Sequence, residues 1–158
     1  MSEFIPYGRQ QISETDIEAV VRVLRSDWLT QGPAVPTFEE AVARKVGARH
    51  AMAVNSATSA LHLACLALGL KLGDHLWTVP NTFVASANCG RYCGAEVDFV
   101  DIDPDTWCLS VELLRDKLEH HKSAGMEIPK VVIPVHLSGQ SCDMQEICTM
   151  GLEYGFHI

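Results

Sequence analysis

Apolar side chains recur along this chain in two alternating rhythms, and their order predicts the elements. Ile17, Val20, Val21 and Leu24 stand at helical spacing behind Ser13, a capping residue type, so a helix is expected through Arg25. The run Asp27-Trp28-Leu29-Thr30-Gln31-Gly32-Pro33 breaks that rhythm. Phe38, Ala41, Val42 and Val46 restore it, with Gly47 placed to end a second helix. Residues 50–54 have the pattern of a short strand, and Asn55-Ser56-Ala57-Thr58 leads into a helix to about Leu70. That helix is apolar almost all round, so burial is expected. Strands at 76–79, 97–102 and 130–135 then alternate with helices at 82–92, 111–121 and 143–154, and residues 155–158 open one more strand.

This order is that of an α/β chain with a mostly parallel sheet and flanking helices. The pattern marks no internal boundary. Because a strand needs neighbours to cover both its faces, a chain whose last residues enter a strand pattern is expected to hold only part of its sheet.

Composition narrows the function. With 158 residues, 47% of them hydrophobic and 20% charged, the chain is globular in character rather than disordered. A formal charge of −8 argues against a nucleic-acid binder, which would need a basic face. The start, Met1-Ser2-Glu3-Phe4-Ile5-Pro6, has neither the basic nor the apolar region of a signal peptide. No later run approaches the roughly 20 apolar residues of a membrane span, and a cytoplasmic protein is expected. The six cysteines, Cys65, Cys89, Cys93, Cys108, Cys142 and Cys148, form no CxxC pair and are expected to be buried reduced thiols.

Two turns carry candidate chemistry. Asn55-Ser56-Ala57-Thr58-Ser59 places small hydroxylated residues at a strand-to-helix junction, where free N–H groups and the helix dipole favour an anion such as phosphate. A helix N-cap without a ligand is the alternative. Pro80-Asn81-Thr82-Phe83 follows the next strand, and successive strand ends of a parallel sheet share one edge. An aromatic ring beside a phosphate cradle suits a flat heteroaromatic cofactor, while an isolated Phe is otherwise a core residue. No GxGxxG or GxxxxGK[ST] accompanies these turns, which disfavours a dinucleotide or triphosphate site. His62 is expected as a hydrogen-bonded core residue, His120 and His121 as solvated, and His136 beside the site. No histidine set has metal-ligand spacing, so no metal is expected.

Ser26-Asp27-Trp28-Leu29-Thr30-Gln31-Gly32-Pro33, Asn55-Ser56-Ala57-Thr58-Ser59-Ala60-Leu61, Thr82-Phe83-Val84-Ala85, Val100-Asp101-Ile102-Asp103-Pro104 and Pro134-Val135-His136 resemble the DegT/DnrJ/StrS family of sugar aminotransferases. The resemblance implies the N-terminal part of a fold-type-I transferase that uses pyridoxal 5'-phosphate (PLP). Residues 1–35 would form an N-terminal helix and a substrate and dimer loop, and 36–158 an incomplete cofactor-binding large domain, cut within a strand. Matched by motif, Ser56, Ala57 and Thr58 would lie at the cofactor phosphate and Phe83 on the pyridine ring. Tyr7, Asp27, Trp28, Leu29 and Thr30 would touch a nucleotide-sugar, with His136 nearby. The implied reaction passes an amino group, with glutamate the expected donor, to the 4-keto group of a UDP-linked 6-deoxy-N-acetylamino sugar, in a homodimer; the alternatives are an aminotransferase or dehydratase of the same family acting on another nucleotide-linked keto sugar, or a non-catalytic nucleotide-sugar binder.

Such chemistry needs a lysine to hold the cofactor as a Schiff base and a carboxylate to keep the pyridine nitrogen protonated. In relatives both lie farther along than Ile158. Lys45 and Lys117 on polar helix faces, Lys71 at a helix end, Lys122 in a loop and Lys130 at a strand start match no such context. Residues 1–158 by themselves are therefore expected to be inactive and poorly stable.

Overall fold

The computed structural model describes residues 8–158. They group into two compact units, residues 8–53 and Val54–Ile158. In the first, helix α1 (Glu14–Leu24) starts on a reciprocal cap: Asp16 N–H donates to Ser13 Oγ, and Ser13 N–H donates to Asp16 Oδ2 at 2.8 Å. Helix α2 (Ala34–Val46) begins directly after Pro33, earlier than the apolar spacing indicates, and ends at Gly47 with φ 70°. Neither helix has a buried residue.

Residues 50–54 do not form the expected strand. A strand needs a partner for its N–H and C=O groups, and among the described residues none runs beside this segment. Ala53 N–H instead donates to Glu39 Oε1 at 2.7 Å. That bond ties the segment to α2.

The second unit is built on strand β1 (His75–Thr78), which pairs in parallel with β2 (Glu96–Phe99) on one side and β3 (Val131–Ile133) on the other. Beyond β3 the ladder continues: Val132 N–H donates to His157 O and His157 N–H to Lys130 O, so the strand expected at 155–158 has begun. Side chains alternate across the pleat. Leu76 faces helices α3 (Ala57–Ala67) and α4 (Ala85–Tyr92), in a core with Cys65, Leu70, Cys89 and Val131. Trp77 faces α5 (Val111–Ala124) and α6 (Met144–Tyr154), with Leu114, Leu118, Val132, Ile147 and Met150. A parallel sheet with helices on both faces is the α/β architecture that the alternating pattern predicts.

Burial departs from expectation where covering elements decide it. Helix α3 buries only Cys65, and Leu63 and Leu66 are half exposed, because an apolar surface has no covering partner on that side among the described residues. His121 is not solvated: it is buried against the Trp77 ring, and its Nδ1 lies 2.8 Å from Glu127 O. His62 packs edge-on against Tyr92 instead of hydrogen bonding in a core. Lys122 lies in the last turn of α5, not in a loop. Of the thiols, Cys65, Cys89, Cys108 and Cys142 are buried, Cys93 is half-buried and Cys148 is exposed. Burial pushes the Cys65 thiol up to about 12, with the Cys89 thiol adding to the shift. Among the described residues no helix is long and apolar enough to cross a membrane.

One ion pair fixes the opening of the sheet. Lys130 Nζ, at the start of β3, donates to Asp74 Oδ2 at 3.0 Å and to Gly69 O at 2.6 Å. The hydrogen bond from Lys130 holds the Asp74 carboxyl below its ordinary range, although burial opposes it. A carboxyl depressed in the folded state adds stability above its unfolded pKa, and that stability drains as pH falls through the folded value. Asp74→Asn is therefore expected to flatten the acid limb of the stability curve from about pH 5 downward, read as urea midpoints against pH. An unchanged acid limb would show that Asp74 contributes nothing to it.

Candidate functional site

In the second unit, α3 runs into β1 through a short connection and α4 leaves β1 through another. Both helices therefore begin at the edge where the parallel strands end. Their far ends meet at the opposite edge, where Gly94 packs on the backbone of Leu72 and Glu96 N–H donates to Asp74 O. Ser56, Ala57 and Thr58 begin α3, Phe83 follows β1, and His136 follows β3, the strand beside β1. The topology thus brings these five residues to one edge of the sheet.

The α3 turn is capped by its own hydroxyls. Ser56 Oγ accepts from Ser59 N–H at 3.1 Å and lies 3.1 Å from Ser59 Oγ, which donates to Asn55 Oδ1 at 2.7 Å. Since Ser59 spends its only hydroxyl proton on Asn55, the Ser56 hydroxyl proton points to Ser59 Oγ. Ser56 must turn to donate to an incoming anion, whereas the N–H groups of Ala57 and Thr58 head the helix. Asn55 and Ser59, which the motif contains without a ligand role, hold the Ser56 hydroxyl in this turn.

Phe83 is not the core residue an isolated Phe suggests: it is 75% exposed. The helix expected from residue 82 starts only at Ala85, because Thr82 Oγ1 bonds Ser86 Oγ at 2.8 Å and Phe83 O at 3.3 Å and holds the turn open. Beside it, Asn81 Nδ2 is sealed from solvent without a partner. A buried donor left unpaired costs about 1–3 kcal/mol and marks a place where a further group belongs. An exposed ring, helix-terminal N–H groups and an orphan donor along one edge fit a flat, phosphorylated cofactor. His136 is exposed, with its Nδ1 accepting from Cys142 N–H at 3.1 Å.

In the first unit, Asp27, Trp28, Leu29 and Thr30 lie in the exposed turn between α1 and α2. Ser26 Oγ donates to Val23 O and accepts from Trp28 N–H, which fixes the turn. Trp28 is 61% exposed and not a buried anchor. An added Cβ at Gly32 would lie 2.5 Å from Trp28 Cβ, so only glycine lets the chain pass under this side chain. A groove of about 910 Å³ opens here, lined by Arg22, Trp28, Leu29, Thr30 and Gln31 among others. Tyr7 lies outside the described residues.

Three of the lysines of the second unit are already engaged. Lys130 is held at the opposite edge by Asp74, Lys117 bonds Asp98 and Phe99 O and covers the Trp77 ring, and Lys122 lies over Tyr154. Among the described residues no group of three or more His, Cys, Asp or Glu side chains is placed to hold a metal.

The chain is 39% identical over 153 residues to the UDP-4-amino-4-deoxy-L-arabinose–oxoglutarate aminotransferase of Shewanella sediminis, covering 97% of this chain and 38% of that protein. It is 41% identical to the spore coat polysaccharide biosynthesis protein SpsC of Bacillus subtilis, covering 99% and 39%. The structure superposes on the PLP form of Spr1654 from Streptococcus pneumoniae with a TM-score of 0.83 at 30% identity, covering 98% of this chain and 38% of that one. The chain thus spans about two fifths of the length of the curated relatives it matches. The α/β fold is that of the N-terminal part of a fold-type-I aminotransferase. Residues 10–158 match the sequence profile of one family along almost the whole chain, and the chain belongs to that family, the DegT/DnrJ/EryC1/StrS aminotransferases.

Proposed function

We propose that the protein carrying this chain is a PLP-dependent aminotransferase of nucleotide-linked keto sugars. The observation that carries the reading is the shared sheet edge, with the α3 turn beside an exposed Phe83. The Ala57 and Thr58 N–H groups and the Thr58 hydroxyl bind the cofactor phosphate, aided by the helix dipole. Phe83 covers one face of the ring and excludes water from it. When bound, PLP supplies an electron sink for moving an amino group between carbon skeletons. Asp27, Trp28, Leu29, Thr30 and Tyr7 are proposed to bind the nucleotide-sugar, and His136 to contact ligand at the strand ends.

The finer proposal is transfer from glutamate to the 4-keto group of a UDP-linked 6-deoxy-N-acetylamino sugar, the step that UDP-4-amino-4,6-dideoxy-N-acetyl-β-L-altrosamine transaminase performs in pseudaminic acid biosynthesis. The 39% identity to an enzyme named for UDP-4-amino-4-deoxy-L-arabinose and oxoglutarate supports a UDP-sugar and a glutamate–oxoglutarate pair. The same similarity favours, as a second reading, another nucleotide-linked keto sugar as acceptor. We further propose a cytoplasmic protein and a homodimer, the dimer supported by Ile17, Val20, Leu24, Trp28 and Phe38, which stand exposed on a unit whose helices bury nothing.

The test is to incubate the full-length protein with PLP, glutamate and, in separate assays, a UDP-linked 4-keto-6-deoxyhexose or a UDP-linked 4-keto pentose, and to follow product mass and oxoglutarate release. Amination of the 6-deoxyhexose supports the finer proposal, and amination of the pentose alone supports the second reading. Oxoglutarate release with neither sugar would overturn both. Phe83→Ala is expected to weaken PLP binding about tenfold, as loss of an aromatic contact worth up to about 1.5 kcal/mol requires. Phe83→Tyr is expected to bind like wild type in the same absorbance titration. Equal affinity for all three would remove Phe83 from the cofactor site.

A further inference from the structure

We propose that His136 is held as its Nε2–H tautomer and acts as a fixed hydrogen-bond donor to an anionic oxygen of the bound ligand, a binding residue and not a proton acceptor. A neutral imidazole has one N–H and one lone-pair nitrogen. Cys142 N–H donates to His136 Nδ1 at 3.1 Å, which assigns the lone pair to Nδ1 and leaves the proton on Nε2. The side chain is exposed, so that proton is available to a ligand.

The contact is built by the fold of the loop. Ser138 at φ 52° and Gly139 at φ 86° turn the chain back so that residue 142 returns to residue 136. Gln140 N–H closes the turn on Leu137 O at 2.9 Å. Two thiols pin its stems: Cys142 Sγ donates to Val135 O at 3.2 Å and Cys108 Sγ to Gln140 O at 3.3 Å. The ring is thereby fixed just beyond β3, beside the strand end that carries Phe83. With its acceptor nitrogen engaged by the backbone, His136 can only donate toward that edge while neutral.

The inference rests on the proposed function, under which PLP and a UDP-sugar both bring phosphate oxygens to the edge. The full-length protein, labelled with nitrogen-15, tests it by long-range proton–nitrogen NMR. The expected spectrum has a pyridine-like Nδ1 and a pyrrole-like Nε2, with the Nε2 resonance moving on addition of either PLP or UDP. Separate titrations tell which ligand supplies the oxygen. His136→Gln keeps an outward N–H donor, and His136→Asn keeps an inward acceptor for Cys142 N–H. The Asn variant is expected to bind the responding ligand roughly tenfold more weakly, as loss of one hydrogen bond implies, and to keep the Cys142 amide protected from exchange. The Gln variant should do the reverse. A protonated Nδ1 in the wild type, or equal affinity of both variants and wild type for PLP and for UDP, would overturn the inference. Failure of the wild type to bind PLP at all would overturn the functional reading and the ligand contact with it, while the Nδ1 shift would still decide the tautomer.

Discussion

Trp77→Ala is expected to lower the unfolding free energy by roughly 3–5 kcal/mol, the usual cost of emptying a fully buried aromatic site. Trp77 is the largest fully buried side chain and lies on the central strand β1. His121 meets its ring edge-on at 4.7 Å between centroids, and Lys117 Nζ stands 4.6 Å above it. Removing the indole would leave a cavity in the core and deprive Lys117 of its aromatic face. An opposing effect exists, because Trp77 Nε1 is buried without an acceptor and its loss relieves a donor that costs about 1–3 kcal/mol. Trp77→Phe separates the two: it keeps an aromatic ring and removes the orphan donor, so its cost should be less than half that of the alanine variant. Urea unfolding of the full-length protein reads both. A loss below about 1 kcal/mol for Trp77→Ala would place the residue outside the core and contradict the packing.

Thr58→Val is expected to weaken PLP retention by roughly 10- to 150-fold, corresponding to about 1.5–3 kcal/mol for one hydrogen bond to an anion. Valine preserves the shape, so the change isolates the hydroxyl. Thr58 is the informative position because the neighbouring Ser56 hydroxyl is engaged with Ser59 and caps the helix. Ser56→Ala would lose the cap and the ligand contact together. Equilibrium dialysis against PLP reads the affinity, and inorganic phosphate serves as a competitor. Unchanged retention in Thr58→Val, with the protein folded, would remove the α3 turn from the phosphate site.

Helix α1 with its Ser13 cap, the Gly47 terminus of α2, the Ser56 start of α3 and the alternation of strands with helices were all legible in the sequence. They rest on interactions a few residues apart: a side-chain cap, a left-handed glycine, a repeat of apolar positions. The motifs at Ser56 and Phe83 were legible for a related reason, since a strand-to-helix turn in a parallel sheet puts its first residues at a shared edge. Their roles as ligand contacts remain proposals that the variants above test.

What the tertiary structure alone decided is whatever depends on a distant partner. Residues 50–54 have a strand's composition, yet no strand among the described residues pairs with them, and Glu39 takes the Ala53 N–H instead. The apolar surface of α3 is half exposed because burial requires a covering element as well as an apolar side chain. His121 ends a polar helix by sequence, but the Trp77 ring and the Glu127 carbonyl draw it inside. Likewise His136 reads only as a residue after a strand, and its tautomer follows from Cys142, which a left-handed turn brings back to it. Local rhythm specifies elements because its interactions are short in sequence; pairing, burial and protonation depend on which segments meet, and that the chain settles only by folding.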